Sequence, residues 1–267
     1  MLFNGKTALI TGASRGIGRA IAHALARQGM QRILLVARSA QRLETVAAEV
    51  RQLGAEAVVL PVDLTDPIQA NVVIARAWQH HGPVHLLVNC AGVAYQTPFL
   101  QAKLPQVQAE ISTNLLGLYT VTRLVARRMA ARQDGCIVNV SSLMGKVAAP
   151  TMATYSATKF AIVGFTEALR CELAPHRVRV VGLLPSLTDT DMVQGFEWFR
   201  GVQPSTPDQV AEALVKGLNR GRSEILVGWQ SHATVWVQRL APWLIQPMVQ
   251  FLTPSKPEPR RRPIRSI

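Results

Sequence analysis

The chain has 267 residues, 48% hydrophobic and 17% charged, which is enough apolar material for a large core and too little charge for a disordered polypeptide. The net charge is +13, yet aromatics make up only 6% and neither zinc-finger spacing nor an aromatic strand motif occurs, so no nucleic-acid module is expected. Cys90, Cys136 and Cys171 form no C-x-x-C pair and have no histidine at ligand spacing; they read as reduced, buried thiols of a cytoplasmic protein rather than a metal site. In chain order, apolar runs recur as TALIT (7–11), RILLVA (32–37), AVVLPV (57–62), HLLVN (85–89), CIVNVS (136–141), VRVVGLL (178–184) and EILVG (224–228). Between them lie helical stretches near 16–29, 39–53, 67–81, 104–133, 153–174 and 207–220. Ser39 and Asp66 are set to cap the second and third, and Thr206-Pro207-Asp208-Gln209 has the pattern of a capping box for the last.

Near-continuous apolar strands separated by amphipathic helices predict an α/β doubly wound fold. The expectation is a seven-stranded parallel sheet (Rossmann fold) in one domain over residues 1–228, with the ligand crevice at the carboxyl ends of the strands. The first strand begins within a few residues of Met1, leaving no room for a targeting segment, and no apolar run reaches the roughly 18 residues of a membrane span. Residues 229–253 differ in character. Trp229, Trp236 and Trp243 recur every seven residues, and Val237, Leu240, Leu244, Met248, Phe251 and Leu252 extend an apolar face that Pro242 and Pro247 are expected to kink or break. This stripe reads as a helix packed on its own domain or a partner subunit, or as a peripheral membrane contact assisted by the basic, disordered tail expected over 254–267.

Four stretches carry chemistry. TGASRGIG places Gly12, Gly16 and Gly18 between a strand and a helix, where close backbone approach and a helix N-terminus favour a phosphate. NCAG (Asn89, Ala91, Gly92) ends the fourth strand, Ser142 follows the fifth, and Tyr155-x-x-x-Lys159 opens the next helix. Residues at i and i+4 share a helix face, so Tyr155 and Lys159 point together into the crevice. An ammonium beside a phenol is expected to lower the phenol's pKa and let it exchange a proton. Ser142 is placed to hydrogen-bond the same substrate oxygen.

In this order and context, the motifs resemble the short-chain dehydrogenase/reductase family over nearly the whole chain to about residue 228. The resemblance implies hydride transfer between a nicotinamide and a carbonyl or alcohol, with Ser142, Tyr155 and Lys159 catalytic and Asn114 supporting a water relay. It implies cofactor contacts from Gly12, Ser14, Arg15, Gly16, Ile17, Gly18, Asp63, Leu64, Asn89, Ala91, Gly92, Tyr155, Lys159, Pro185, Leu187 and Thr190. It also implies a homodimer or homotetramer through the helices near 104–133 and 153–174. Family members using NAD usually carry an Asp after the second strand; here Ala37 precedes Arg38, and with Arg15 this favours the 2′-phosphate of NADP(H). Ser186 stands where the family usually has glycine, a departure free of strain only at negative φ. Phe196, Trp198 and Phe199 read either as an aromatic lid that favours a lipophilic substrate or as a lid helix packed on its own domain. The alternative is an NADP(H)-binding regulatory module without turnover.

Overall fold

The structure, a computed structural model describing residues 3–253, is built on seven parallel strands. They are β1 (Thr7–Thr11), β2 (Arg32–Ala37), β3 (Glu56–Pro61), β4 (Leu86–Asn89), β5 (Gly135–Val140), β6 (Val178–Leu184) and β7 (Glu224–Leu226), in spatial order β3-β2-β1-β4-β5-β6-β7. Among the described residues the helices are α1 (Gly16–Arg27), α2 (Ala40–Gln52), α3 (Pro67–His81), α4 (Leu104–Ile111), α5 (Leu118–Arg132), α6 (Ala153–Leu173), α7 (Pro207–Asn219), α8 (Trp229–Leu240) and α9 (Pro242–Leu252). This is the expected Rossmann architecture.

Both sheet faces are covered, which is why the strands are predominantly apolar, with charged residues such as Arg32, Glu56 and Glu224 at strand starts. On one face Ile21 and Leu25 of α1 pack with Val210 and Leu214 of α7 over Ile10, Leu35 and Val88. On the other, Ile74 of α3 and Val121, Val125 and Met129 of α5 lie over Leu9, Leu34 and Leu87. Order reverses between β1 and β4, whose ends meet in the register Thr11↔Asn89, and the crevice opens there. The expected caps are present: Ser39 accepts from the Arg42 N–H, Asp66 from the Ile68 and Gln69 N–H groups, and Thr206 and Gln209 close a reciprocal box.

Three expectations change. The single helix predicted over 104–133 is two, joined by a π-helical segment at Ser112–Gly117 whose wider turn carries Asn114. Cys171 is exposed rather than buried, because it lies on the outer face of α6, whereas burial pushes the Cys90 and Cys136 thiols up to about 12 and about 11. Pro242 starts α9 after a break at Ala241, but Pro247 stays inside α9, on its exposed side. No described helix is long and apolar enough to cross a membrane. The basic tail lies outside the described residues.

Candidate active site

The β1–α1 turn fits closely against the loop after β4. The Thr11 hydroxyl accepts the Cys90 and Ala91 N–H groups at 3.0 and 3.1 Å. Gly12 has φ +68, and a Cβ on it would lie 2.8 Å from the Ala91 backbone, so neither its conformation nor its surroundings admit a side chain. A Cβ on Gly18 would strike the Gly12 carbonyl. The first turn of α1 has no side-chain cap and borders a cavity of about 240 Å³. Gly12, Ser14, Arg15, Gly16, Ile17, Gly18, Arg38, Asp63, Leu64, Ala91, Gly92, Tyr155, Lys159 and Thr190 all line it. Uncapped amides, a backbone cradle that a Cβ would fill, and cations in the lining fit a dinucleotide. Arg42, in the first turn of α2, also lines the cavity and was missed because it falls outside any motif.

A second cavity of about 320 Å³ lies beyond the first, and its lining includes Ser142, Leu143, Met152, Phe196, Trp198, Phe199 and Met248. Tyr155 borders both cavities. Tyr155 and Ser142 lie together on the second cavity, and the Lys159 ammonium lies 5.4 Å from the Tyr155 ring centre while donating to the Val140 carbonyl at 3.1 Å. Asn114 is fully buried; its Oδ1 accepts the Val93 N–H (2.8 Å) and its Nδ2 donates to the Val93 carbonyl (2.9 Å) and Thr158 Oγ1 (3.2 Å). Both amide protons are thus used in bracing the Ala91–Val93 loop against α6.

A family model for short chain dehydrogenases matches residues 6–198. The chain belongs to that family. Its members act on the CH–OH/C=O couple. The dehydrogenase is 35% identical over 189 residues to a 3-oxoacyl-[acyl-carrier-protein] reductase of Synechocystis, covering 71% of this chain and 76% of that one. It superposes with a TM-score of 0.82 on a Burkholderia cenocepacia short chain dehydrogenase in complex with NADP, at 29% identity, covering 95% of this chain and all of that one. A Burkholderia phymatum relative in complex with NAD superposes at 0.81 with 25% identity, covering 96% and 99%. The fold therefore accommodates either cofactor, and the choice rests on side chains.

Other expected contacts of this dehydrogenase fall differently. The Asn89 side chain does not enter the crevice: it donates to Thr122 Oγ1 (2.8 Å) and Asn139 Oδ1 (2.9 Å), and Asn139 in turn donates to Thr166. Pro185 and Leu187 line the second cavity rather than the first, because the chain turns toward the lid after β6; Leu143 N–H bonds the Pro185 carbonyl and Ser205 N–H the Leu187 carbonyl. Ser186 is not among the positive-φ residues, so it replaces glycine without strain, and its hydroxyl lies 3.4 Å from that of Ser205. Arg15 forms a half-exposed ion pair with Asp191 at the base of the lid (3.3 Å), whereas Arg38 has no carboxylate partner among the described residues.

The electrostatics reverse one expectation. Burial pushes the Tyr155 phenol up to about 12, outweighing the Ser142 hydrogen bond, and pushes Lys159 down to about 8. For both groups the largest cause is desolvation of the charged form. Between about 8 and the ordinary lysine value of 10.5 the unfolded chain binds the extra proton, so Lys159's contribution to stability rises with pH across that window. Thermal denaturation should show wild-type protein gaining on Lys159→Met between those pH values; a constant gap would mean that Lys159 is not desolvated.

Proposed function

We propose that this dehydrogenase is an NADP(H)-dependent oxidoreductase interconverting a carbonyl and a secondary alcohol on a lipophilic substrate. The observation that carries the reading is Tyr155 on the boundary of two cavities, one with glycine-rich and cationic walls, the other apolar and shared with Ser142. Bound nicotinamide supplies or accepts the hydride. Tyr155 donates its proton to the carbonyl oxygen in reduction and takes it back in oxidation; a phenol held protonated across the neutral range is ready for the first of these roles. Ser142 orients the same oxygen by hydrogen bonding. Lys159 holds a cation against the phenol ring and is placed to bind the nicotinamide ribose, while Asn114 acts as a positioning residue through the Val93 backbone.

Arg38, Arg15 and Arg42 line the first cavity, and no acid follows β2, which supports NADP(H) over NAD(H). Phe196, Trp198 and Phe199 wall the second cavity, which supports an apolar carbonyl such as the β-keto acyl chain implied by the name of the Synechocystis relative. Exposed Ile111, Leu116, Tyr119 and Phe160 on α4, the π segment, α5 and α6 support assembly through these helices. Oxidation of NADPH and NADH against a panel of β-keto thioesters, aryl ketones and sugars tests the reading. Turnover should require NADPH and an apolar carbonyl; activity confined to small polar sugars, or equal with NADH, would overturn it.

A further inference from the structure

The chain beyond β7 forms two helices whose inner sides are anchored and whose outer sides are not. α8 buries Ser231 and Val235, yet Trp229, Trp236 and Leu240, at i, i+7 and i+11, are 73%, 59% and 70% exposed. α9 buries Ile245, while Trp243 and Phe251 are 71% and 73% exposed with Leu244 beside them. Isolated apolar side chains are ordinary on a surface; large aromatics in rows on two consecutive helices are not. Residues 229–253 contain no Asp or Glu and one cation, Arg239, and the sequence after Thr253 adds Lys256, Arg260, Arg261, Arg262 and Arg265 against Glu258 alone. A second copy of the chain would bring two such cationic segments together, whereas an anionic surface complements them.

We propose that the α8–α9 pair docks on an anionic phospholipid surface. Trp229, Trp236, Trp243 and Phe251 enter the headgroup boundary, and Arg239 with the cationic C-terminal segment engages the headgroups. The same helices wall the apolar cavity through Trp229, Ala233, Thr234, Met248, Val249 and Leu252. They also hold the lid: the Arg200 N–H donates to the Leu252 carbonyl (2.8 Å), and Gln230 donates to the Gly201 carbonyl (3.0 Å) while accepting the Gln203 N–H (3.2 Å). Docking sets this wall of the cavity against the lipid boundary, so that a lipophilic carbonyl enters from the bilayer. That delivery step rests on the proposed reaction; docking itself does not.

The test is flotation of the full chain with vesicles of phosphatidylcholine containing about one-third phosphatidylglycerol. It is run at low and high salt, alongside vesicles of phosphatidylcholine alone, and sedimentation velocity reports the oligomeric state. The comparison protein carries Trp236→Ser, Trp243→Ser and Phe251→Ser, three exposed positions outside both cavities. Wild-type protein should float with the anionic vesicles, and roughly tenfold or more of that partitioning should be lost at high salt and in the variant. Reduction of a water-soluble ketone with NADPH should be equal in the two proteins. Absence of flotation, undiminished flotation of the variant, or equal flotation with phosphatidylcholine alone overturns docking on an anionic surface. An oligomer that dissociates in the variant while neither protein floats also overturns it and assigns the face to a second copy. Flotation without any ketone reduction sinks the proposed reaction and leaves docking standing.

Discussion

Replacing Tyr155 by phenylalanine is expected to lower kcat by about 10²–10⁴-fold, the range attributed to a positioned proton donor, while NADPH affinity stays within a few-fold. The substitution removes one oxygen and leaves the ring between the cavities, with the Lys159 ammonium still free to pack against it. Ser142 keeps its place because its hydroxyl also accepts the Met144 N–H at 3.1 Å. Folding should be little affected, since the lost hydroxyl borders a cavity from which water can hydrate Ser142. Single-turnover oxidation of NADPH with a ketone, paired with NADPH fluorescence titration, separates the possible results. Loss of turnover with binding intact identifies Tyr155 as the proton donor. Turnover above a tenth of wild type would place the donor elsewhere or reveal a binding module, and loss of binding would make the phenol a structural group.

What could be read before the structure follows a physical division. The seven strands are legible because both faces of a parallel sheet are buried, so each strand holds a short, mostly apolar run. The glycine turn was readable because only residues without a Cβ fit at Gly12 and Gly18. The π segment was not: STNLLG carries ordinary helical periodicity, and the extra residue per turn leaves no compositional trace. The direction of Asn89 is set by strand parity. Strand residues alternate, Leu87 faces the α3/α5 side, and Asn89 shares its parity, which turns its amide toward Thr122 of α5 rather than the crevice. The pKa of Tyr155 was out of reach because it depends on the balance of burial and charge, and spacing reports only the second. The uncovered side of α8–α9 was also undecided in advance, since a tryptophan heptad reads alike whether it is packed or exposed.

Arg38→Asp is expected to shift the NADPH/NADH preference toward NADH by about two orders of magnitude, the effect of losing charge-assisted hydrogen bonds to a phosphate and gaining an acceptor for a hydroxyl. The three arginines that line the cavity are not equivalent. Arg15 is shared with Asp191 of the lid, so part of its charge is already neutralised, and Arg15→Ala should shift preference less. Arg42 lies in the first turn of α2, where its N–H is held by the Ser39 cap, and its side chain borders the cavity from the helix. Arg38 follows β2 directly, at the position where an acid would meet the ribose, and has no carboxylate partner among the described residues to draw it away. In the variant the new carboxylate repels a 2′-phosphate and accepts from a 2′-hydroxyl, so both halves of the preference move together. Ratios of kcat/KM for the two cofactors, measured with one ketone, give the result. An unchanged ratio would show that Arg42 and Arg15 hold the phosphate without Arg38. A fall with both cofactors would show instead that Arg38 supports the loop after β2 and does not discriminate between them.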